Sequence, residues 1–420
     1  MVRGTKVENY KNISISNEIL TIEPPMFVYI PLVTYNNKNC KLLVSVGDYV
    51  FKGQVIAVSN DKYDFPIHSS VSGYVKEIKK HLFIDNTLVD TVVIENDFRE
   101  KEEQKIGVKK KINTYSKEEV VDILKKCGVV GMSGTIFPTY YKYGMELKIK
   151  KLVINAVEGE PYITSDFTIL NKYTPEILEA IDAIMDIFDV EECIIAVKDY
   201  NQKAIDDLKE YIGSYTKIRI ECVKDTFPIG WEKHLIKYLF NIDIKNNSIE
   251  KSIVVNNIST IYEIYKALKY RKPSSKRVIT ISGNAIKKPR NIIIKEGTLL
   301  KEILTEKDYK IKKPVVLING PMTGYAVSND DVVITKQVTG IVFLKPLKEE
   351  IHDCINCGKC TNICPVRLSP ILIMNNINRV TQLKKLMPNK CINCGLCSYI
   401  CPSKINLMEK VTDAKKVIGD

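Results

Sequence analysis

Nowhere does the 420-residue chain approach eighteen consecutive uncharged apolar residues, so no transmembrane helix is expected. The best candidate, around 181–197, is interrupted by Asp182, Asp186, Asp189, Glu191 and Glu192. An apolar signal-peptide core is missing as well, since the stretch from Met1 to Glu18 is polar. The expectation is a soluble, cytoplasmic protein, any membrane association of which must be through a partner. Arginine is scarce: eight of the 62 basic residues are Arg, and the lysines are spread over the whole chain. That argues against nucleic-acid binding in spite of a net charge of +12. A mild basic excess suits an acidic protein partner or an anionic membrane face instead. There are four histidines, and His68 has no partner ligand spaced near it, so it reads as a turn histidine.

Cysteine, by contrast, is concentrated. Of twelve, Cys40, Cys127, Cys193 and Cys222 are scattered in apolar or strand-like contexts and are expected as buried free thiols. The other eight form C-x-x-C-x-x-C-x-x-x-C-P twice, as Cys354, Cys357, Cys360, Cys364 before Pro365 and Cys391, Cys394, Cys397, Cys401 before Pro402. Structural zinc usually takes two separated C-x-x-C pairs or Cys/His mixtures, and disulfides need an oxidising compartment. The doubled run points to two 4Fe-4S clusters, in which the cysteine before each proline ligates the other cluster. One cluster is expected on Cys354, Cys357, Cys360 and Cys401, the second on Cys391, Cys394, Cys397 and Cys364.

The chain reads as a multidomain α/β and α+β protein. Residues 1–25 are a polar arm. Residues 26–98 alternate apolar residues with Gly-Asp and Gly-Gln turns, at Gly47-Asp48 and Gly53-Gln54, giving a half-buried sheet. Their spacing is similar to the barrel-sandwich fold of lipoyl domains, without a lysine at the hairpin tip. A charged linker, 99–114, includes the run Lys109 to Lys111. Ser116-x-x-Glu119 is a capping box for a helix with Val120, Ile123 and Leu124 on its apolar face. From there to 272 strands alternate with helices, the pattern of a doubly wound, mostly parallel sheet. Residues 273–345 read as a small β-grasp-like (SLBB-like) domain with a helix at 299–304, and residues 346–420 as a two-cluster ferredoxin-like helical domain.

Three stretches of the α/β domain carry residues that a core does not need: 128–139, rich in glycine; Asn155-Ala156-Val157-Glu158-Gly159-Glu160-Pro161-Tyr162 after a strand; and Asn256-Asn257-Ile258-Ser259-Thr260 opening a helix. With Phe137-Pro138-Thr139, Phe227-Pro228-Ile229-Gly230-Trp231-Glu232-Lys233, Gly320-Pro321-Met322-Thr323-Gly324 and both cysteine runs, the chain resembles the RnfC subunit of the Rnf ferredoxin:NAD oxidoreductase complex over nearly its whole length. Its central part resembles the flavin-bearing 51-kDa subunit of respiratory complex I.

The resemblance implies a site for FMN and NADH exchanging electrons with the two clusters. Gly131, Gly134, Lys142, Asn155 and Glu158 would surround the flavin, and Asn256, Asn257 and Thr260 would hold its phosphate. Phe137, Glu160 and Glu232 would face the nicotinamide nucleotide, with Gly230 also among the cofactor-binding positions. Implied partners are the Rnf membrane subunits, with ferredoxin oxidation coupled to ion translocation. The family's loop reads G-x-G-G-A-G-F-P-T, and Ser133, Thr135 and Ile136 stand here at Gly, Ala and Gly; Trp231 stands at a glycine or small residue. Isoleucine at a position with positive φ is expected to clash with a cofactor or to shift the loop. The altered loop and the missing Gly-Gly-x-His-Pro stretch suit a soluble RnfC-like protein feeding a cytoplasmic reductase of the proline-reductase type. A relay or scaffold without flavin is the third reading.

Overall fold

A four-stranded parallel sheet occupies the middle of the chain, with strands in the spatial order Ile218–Val223, Glu192–Lys198, Lys151–Ala156, Ile253–Asn257. The computed structural model describes residues 3–419 except 16–17, 36–37, 104–110, 245–246 and 348–349. The central strands are near-continuous runs of Val, Ile, Leu and Cys, as in strands covered on both faces. Because successive side chains point to opposite faces, the core divides in two. Leu152, Ile154, Cys193, Ile195 and Val197 pack with the helices Lys117–Lys126, Thr174–Phe188 and Ile258–Tyr270. Val153, Ala196, Val223 and Val255 pack with Leu235 and Ile236 of the helix Glu232–Phe240. The expected doubly wound domain is present, and its first helix opens on the expected capping box, with Ser116 Oγ accepting from Glu119 N (3.2 Å) and Glu119 Oε2 from Ser116 N (2.8 Å). In chain order the strands read third, second, first, fourth. The winding therefore reverses between Lys151–Ala156 and Ile253–Asn257, and open sheets of this kind bind ligands at the strand ends beside such a reversal.

The barrel-sandwich domain consists of two small sheets, Phe27–Pro31, Leu88–Asn96, Gly73–Leu82, Tyr49–Val50 and Lys41–Leu42, Val55–Val58, Ile67–His68, closed over Val28, Ile56, Val75, Val92 and Ile94. A third, six-stranded sheet runs Ile19–Thr21, Arg290–Lys295, Lys276–Ser282, Gly340–Leu344, Val315–Ile318, Tyr325–Val327. Its outermost strand comes from the segment read as an arm. That segment is built into the molecule through its backbone, which sequence polarity does not register: Ile19–Thr21 lies parallel to Arg290–Lys295, Thr5 exchanges hydrogen bonds with Phe227, and Asn9 O accepts from Tyr162 N.

Other expectations are corrected similarly. The helix expected over 299–304 is a single 3-10 turn, Leu300–Glu302. The start of the charged linker is an ion-paired strap, Glu100 meeting Lys52 and Lys295, and Glu102 meeting Lys52 and Lys272. Lys109 and Lys110 lie outside the described residues. Cys127 and Cys193 are buried, but Cys40 is half-buried and Cys222 is exposed, near the end of an edge strand. The C-terminal domain is helical, with Pro370–Asn375, Val380–Leu386 and Leu407–Ile418 around Leu368, Ile373, Leu383 and Val411. Among the described residues no helix is long and apolar enough to cross a membrane.

Candidate functional site

The crevice at the winding reversal is framed by the loop 128–139. Gly131 N donates to Phe137 O at 2.8 Å, closing the loop. Met132 N donates to Thr260 Oγ1 (3.0 Å), and the buried Arg277 guanidinium donates to Met132 O (2.6 Å) and to Val338 O and Lys336 O. The loop is thus pinned to the helix Ile258–Tyr270 on one side and to the strand Lys276–Ser282 on the other. Gly134 has φ +104°, and a Cβ added to it would meet only Asn319 Nδ2, at 3.8 Å, so the loop presents open space there. Ile136 does occupy positive φ, at +45°. Its side chain is turned under the loop, packing with Phe65, Val130 and Met132, so the expected conflict is resolved by burial. Phe137 is caged by Tyr35, Tyr63 and Tyr141, with ring centroids 5.1, 5.4 and 5.8 Å away.

Across the crevice, Asn155 and Asn257 are register partners at the ends of their strands. Asn155 Nδ2 donates to Gly230 O (2.8 Å). Lys142 Nζ donates to Val255 O (2.6 Å), and burial pulls its pKa down against the pull of Glu232. Asn257 caps the helix Ile258–Tyr270 by accepting from Thr260 N, while Asp166 accepts from Ser259 N (3.2 Å) and Asn257 Nδ2 (3.1 Å). Asn256 turns away, donating to the buried Tyr143 hydroxyl at 2.6 Å.

The acidic loop divides its carboxylates between two tasks. Glu158 accepts from Asp166 N (2.8 Å) and Phe167 N (3.3 Å), with Lys11 Nζ 3.9 Å away. Burial raises the Glu158 pKa and lowers that of Lys11, and the ammonium also donates to Glu160 O (2.9 Å) and Ile163 O. Glu160 leaves this group. Its carboxylate accepts from Met322 N (2.5 Å), Thr323 N (3.2 Å) and Thr323 Oγ1 (3.2 Å), and burial pushes it up to about 7. Glu232 lies in the first turn of its helix, directly after Trp231.

The donor set suits a flat ring with polar edges: space at Gly134, the Lys142 ammonium, and the Thr139 hydroxyl, buried without a hydrogen-bond partner. A phosphate on Ser259 N would have to compete with Asp166. Sequence reasoning missed Lys11, Arg277 and the part played by Met322. Lys11 is one of many lysines in a polar stretch and carries no local signal; the scarcity of arginine was the one hint toward Arg277.

The eight clustered cysteines form two quartets. Cys354, Cys357, Cys360 and Cys401 line one cavity; Cys391, Cys394, Cys397 and Cys364 line another. Asn356 and Asn393 (φ +53° and +52°) and Gly358 and Gly395 (φ +71° and +79°) take the same left-handed backbone, which wraps each run around its cavity. Backbone N–H groups of Asn356, Asn393 and Leu368 donate to the sulfurs of Cys354, Cys391 and Cys364 at 3.4, 3.4 and 3.3 Å. Burial pushes the Cys394 thiol up to about 11 and Cys397 up to about 12, so thiolates there need a bound cation to be favoured. The second quartet adjoins the crevice domain. Val7, Phe227, Met322, Cys394 and Leu396 form one apolar cluster with Trp231, whose Nε1 donates to Ile392 O at 3.3 Å.

Comparison with known proteins agrees with this division. The Nuo51 FMN-binding domain matches residues 124–266, the RnfC Barrel sandwich hybrid domain residues 1–99, and the 4Fe-4S dicluster domain residues 353–405. The chain is 31% identical over 369 residues to the C subunit of the proton-translocating ferredoxin:NAD(+) oxidoreductase complex of Clostridium ljungdahlii, covering 85% of this chain and 80% of that one. It is 30% identical to the Na(+)-translocating counterpart of Acetobacterium woodii, covering 83% and 81%. Against the C subunit of the ion-translocating oxidoreductase complex of Vibrio cholerae it is 30% identical over 86% of this chain but spans only 46% of that longer protein. Among solved structures, a chain of an NAD+-reducing NiFe-hydrogenase in the H2-reduced state shares the fold, with a TM-score of 0.51 at 14% identity over 73% of this chain and 61% of that one. With a barrel-sandwich start, a 51K-like centre and a doubled cysteine run in one chain, the protein belongs to the RnfC family of oxidoreductase-complex proteins.

Proposed function

We propose that this chain passes electrons between NAD(H), FMN at the crevice and two 4Fe-4S clusters, as a subunit of an Rnf-type complex whose membrane partners couple the transfer to ferredoxin oxidation and ion translocation. Cys354, Cys357, Cys360 and Cys401 would hold one cluster, and Cys391, Cys394, Cys397 and Cys364 the other. FMN supplies the exchange between two-electron hydride chemistry and single-electron transfer. Around it, Gly131 and Gly134 give backbone approach, Lys142 a cation, and Asn155 and Asn257 polar edges at the strand ends. The observation that carries the reading is the apolar junction of Phe227, Trp231 and Met322 with Cys394, which packs the crevice domain directly against one cysteine quartet.

A flavin-less relay is favoured by a different observation: the N–H groups of Met132, Ser259 and Thr260 already have acceptors within the chain. Anaerobic reconstitution separates the two. The enzyme reading expects about eight iron atoms per chain, FMN released on denaturation, and cluster reduction by NADH detected by electron paramagnetic resonance. Iron-replete protein that takes up no flavin and is not reduced by NADH would leave only the relay.

A further inference from the structure

The segment 4–14 lies across two of the loops that carry the expected cofactor residues. Thr5 N donates to Phe227 O (3.1 Å) and Phe227 N to Thr5 O (2.8 Å), and the Tyr10 ring stacks on Tyr162, with centroids 4.6 Å apart and 12° between planes. Lys11 follows, 3% exposed, and its ammonium is shared among the carbonyls of Glu160 and Ile163 and the Glu158 carboxylate at 3.9 Å. Both glutamates lead further into the site. Glu158 accepts from the first turn of the helix Ser165–Lys172, whose Asp166 holds Asn257 and Ser259, while Glu160 reaches Met322 and Thr323 beside the second quartet. The charged groups acting on Lys11 are Glu158, Glu160 and Asp166, together with Lys198, which is already paired to Asp225 at 2.8 Å.

We propose that Lys11 is a positioning residue of the flavin site, its ammonium fixing the direction of the Glu158 carboxylate and setting the balance of charge along the 158–166 loop. Two observations carry this. Taking an ammonium out of water is costly, and an apolar side chain of similar length would staple the same turn without that cost, so the charge itself is what the position retains. The two carbonyls hold the ammonium where its remaining approach is to Glu158, the carboxylate expected at the flavin. Reduction of a flavin adds negative charge, and a fixed cation nearby favours the reduced form. Lys11 acts on that balance through Glu158, not by contact with the cofactor. The inference rests on the flavin reading and goes beyond it by giving the amino-terminal segment a part in the reaction.

The test compares full-length wild type, Lys11→Gln, Lys11→Arg and Ser14→Ala, each reconstituted anaerobically with iron, sulfide and FMN. Glutamine keeps a donor for the carbonyls and loses the charge; arginine keeps the charge. Ser14, whose hydroxyl donates to Tyr162 O (3.3 Å) and accepts from Thr164 Oγ1 (3.1 Å), braces the same loop without charge. Lys11→Gln should weaken the preference for reduced over oxidised flavin about tenfold, the low end of what an adjacent charge is worth. For a two-electron couple that is a flavin midpoint potential lower by about 30 mV. The kcat for NADH oxidation should fall, with KM within about twofold of wild type. Lys11→Arg should restore both, and Ser14→Ala should melt lower with the potential unmoved. Paramagnetic resonance spectra of both clusters should be the same in all four proteins. An unmoved potential in Lys11→Gln, the same fall in Lys11→Arg, or an equal fall in Ser14→Ala overturns the role. Loss of flavin from Lys11→Gln alone supports it; loss from Lys11→Arg or Ser14→Ala as well overturns it. Wild type that takes up iron but no FMN overturns the flavin reading and this role with it, whereas flavin-loaded wild type indistinguishable from Lys11→Gln overturns the role alone.

Discussion

Glu160 is the residue whose environment is most at odds with its charge. Its carboxylate is buried and held up at about 7 from an ordinary 4.5, although three donors from the 322–323 turn favour the ionised form. Desolvation outweighs them. Between those two values the folded state binds more protons than the unfolded one, so the contribution is fully present below about pH 4.5 and is lost as pH rises through about 7. A shift of that size corresponds to about 3 kcal/mol. Glu160→Gln can keep the acceptor for both backbone N–H groups and donate to Thr323 Oγ1. The variant should melt near wild type at low pH and above it at alkaline pH, and parallel melting curves across the range would mean that Glu160 does not carry this cost.

Ile136 poses the opposite problem, a β-branched residue in a left-handed backbone whose side chain is well packed. Relief of left-handed strain by glycine is worth about 1–2 kcal/mol, against about 1.5–3 for the lost burial and about 0.4–1 for the freer unfolded chain. Ile136→Gly should therefore lose about 1–2 kcal/mol on this balance. Flavin content should stay unchanged, because the side chain points away from the crevice. A gain in flavin retention would mean that the isoleucine does intrude. The sequence could show that a glycine position had been taken by isoleucine; which side of the loop the side chain would choose depends on Phe65, about seventy residues earlier and in another domain.

At the scale of elements, legibility followed the range of the interactions. The capping box at Ser116 and the alternation of strands with helices that follows it are local patterns, and they stand where the sequence put them. The strand Ile19–Thr21 could not be read, since its partner lies some 270 residues away and its side chains alternate with nothing. For the same reason Lys11 looked like surface, when its task is to meet the carbonyls of Glu160 and Ile163. The cysteine runs were legible as chemistry because ligand spacing is itself local. Their crossing is an element-level proposal with its own test: Cys364→Ser should remove the cluster served by the second run, dropping iron from about eight to about four per chain. Loss of the first-run signal instead would sink the crossed assignment.

Across the whole molecule, the cluster domain is fastened to the rest where Gly395 lies against Met322 O. The twin glycines make a matched pair of substitutions. Gly358→Ala should cost about 1–2 kcal/mol, the left-handed backbone alone. Gly395→Ala carries that same strain and adds a Cβ collision with backbone, so it should cost more and should expose the segment joining the two parts to limited proteolysis. Equal melting temperatures and equal cleavage in the two variants would mean that the contact does not hold the domain in place.

The built-in amino-terminal segment bears on how the chain is made. Ser14 O accepts from the side-chain amide of Asn291, which leaves the ribosome 277 residues later. At synthesis rates of about 5–20 residues per second, that is a wait of about 14–55 s. Throughout it, the strand at 19–21 has no neighbour. The nascent chain must carry an unpaired strand beside a barrel-sandwich domain that can already close, so the period of greatest exposure to misassembly falls before the cysteine runs have been synthesised. Slowing translation beyond residue 295 should then do little harm, whereas slowing it before that point should lower the yield of soluble protein.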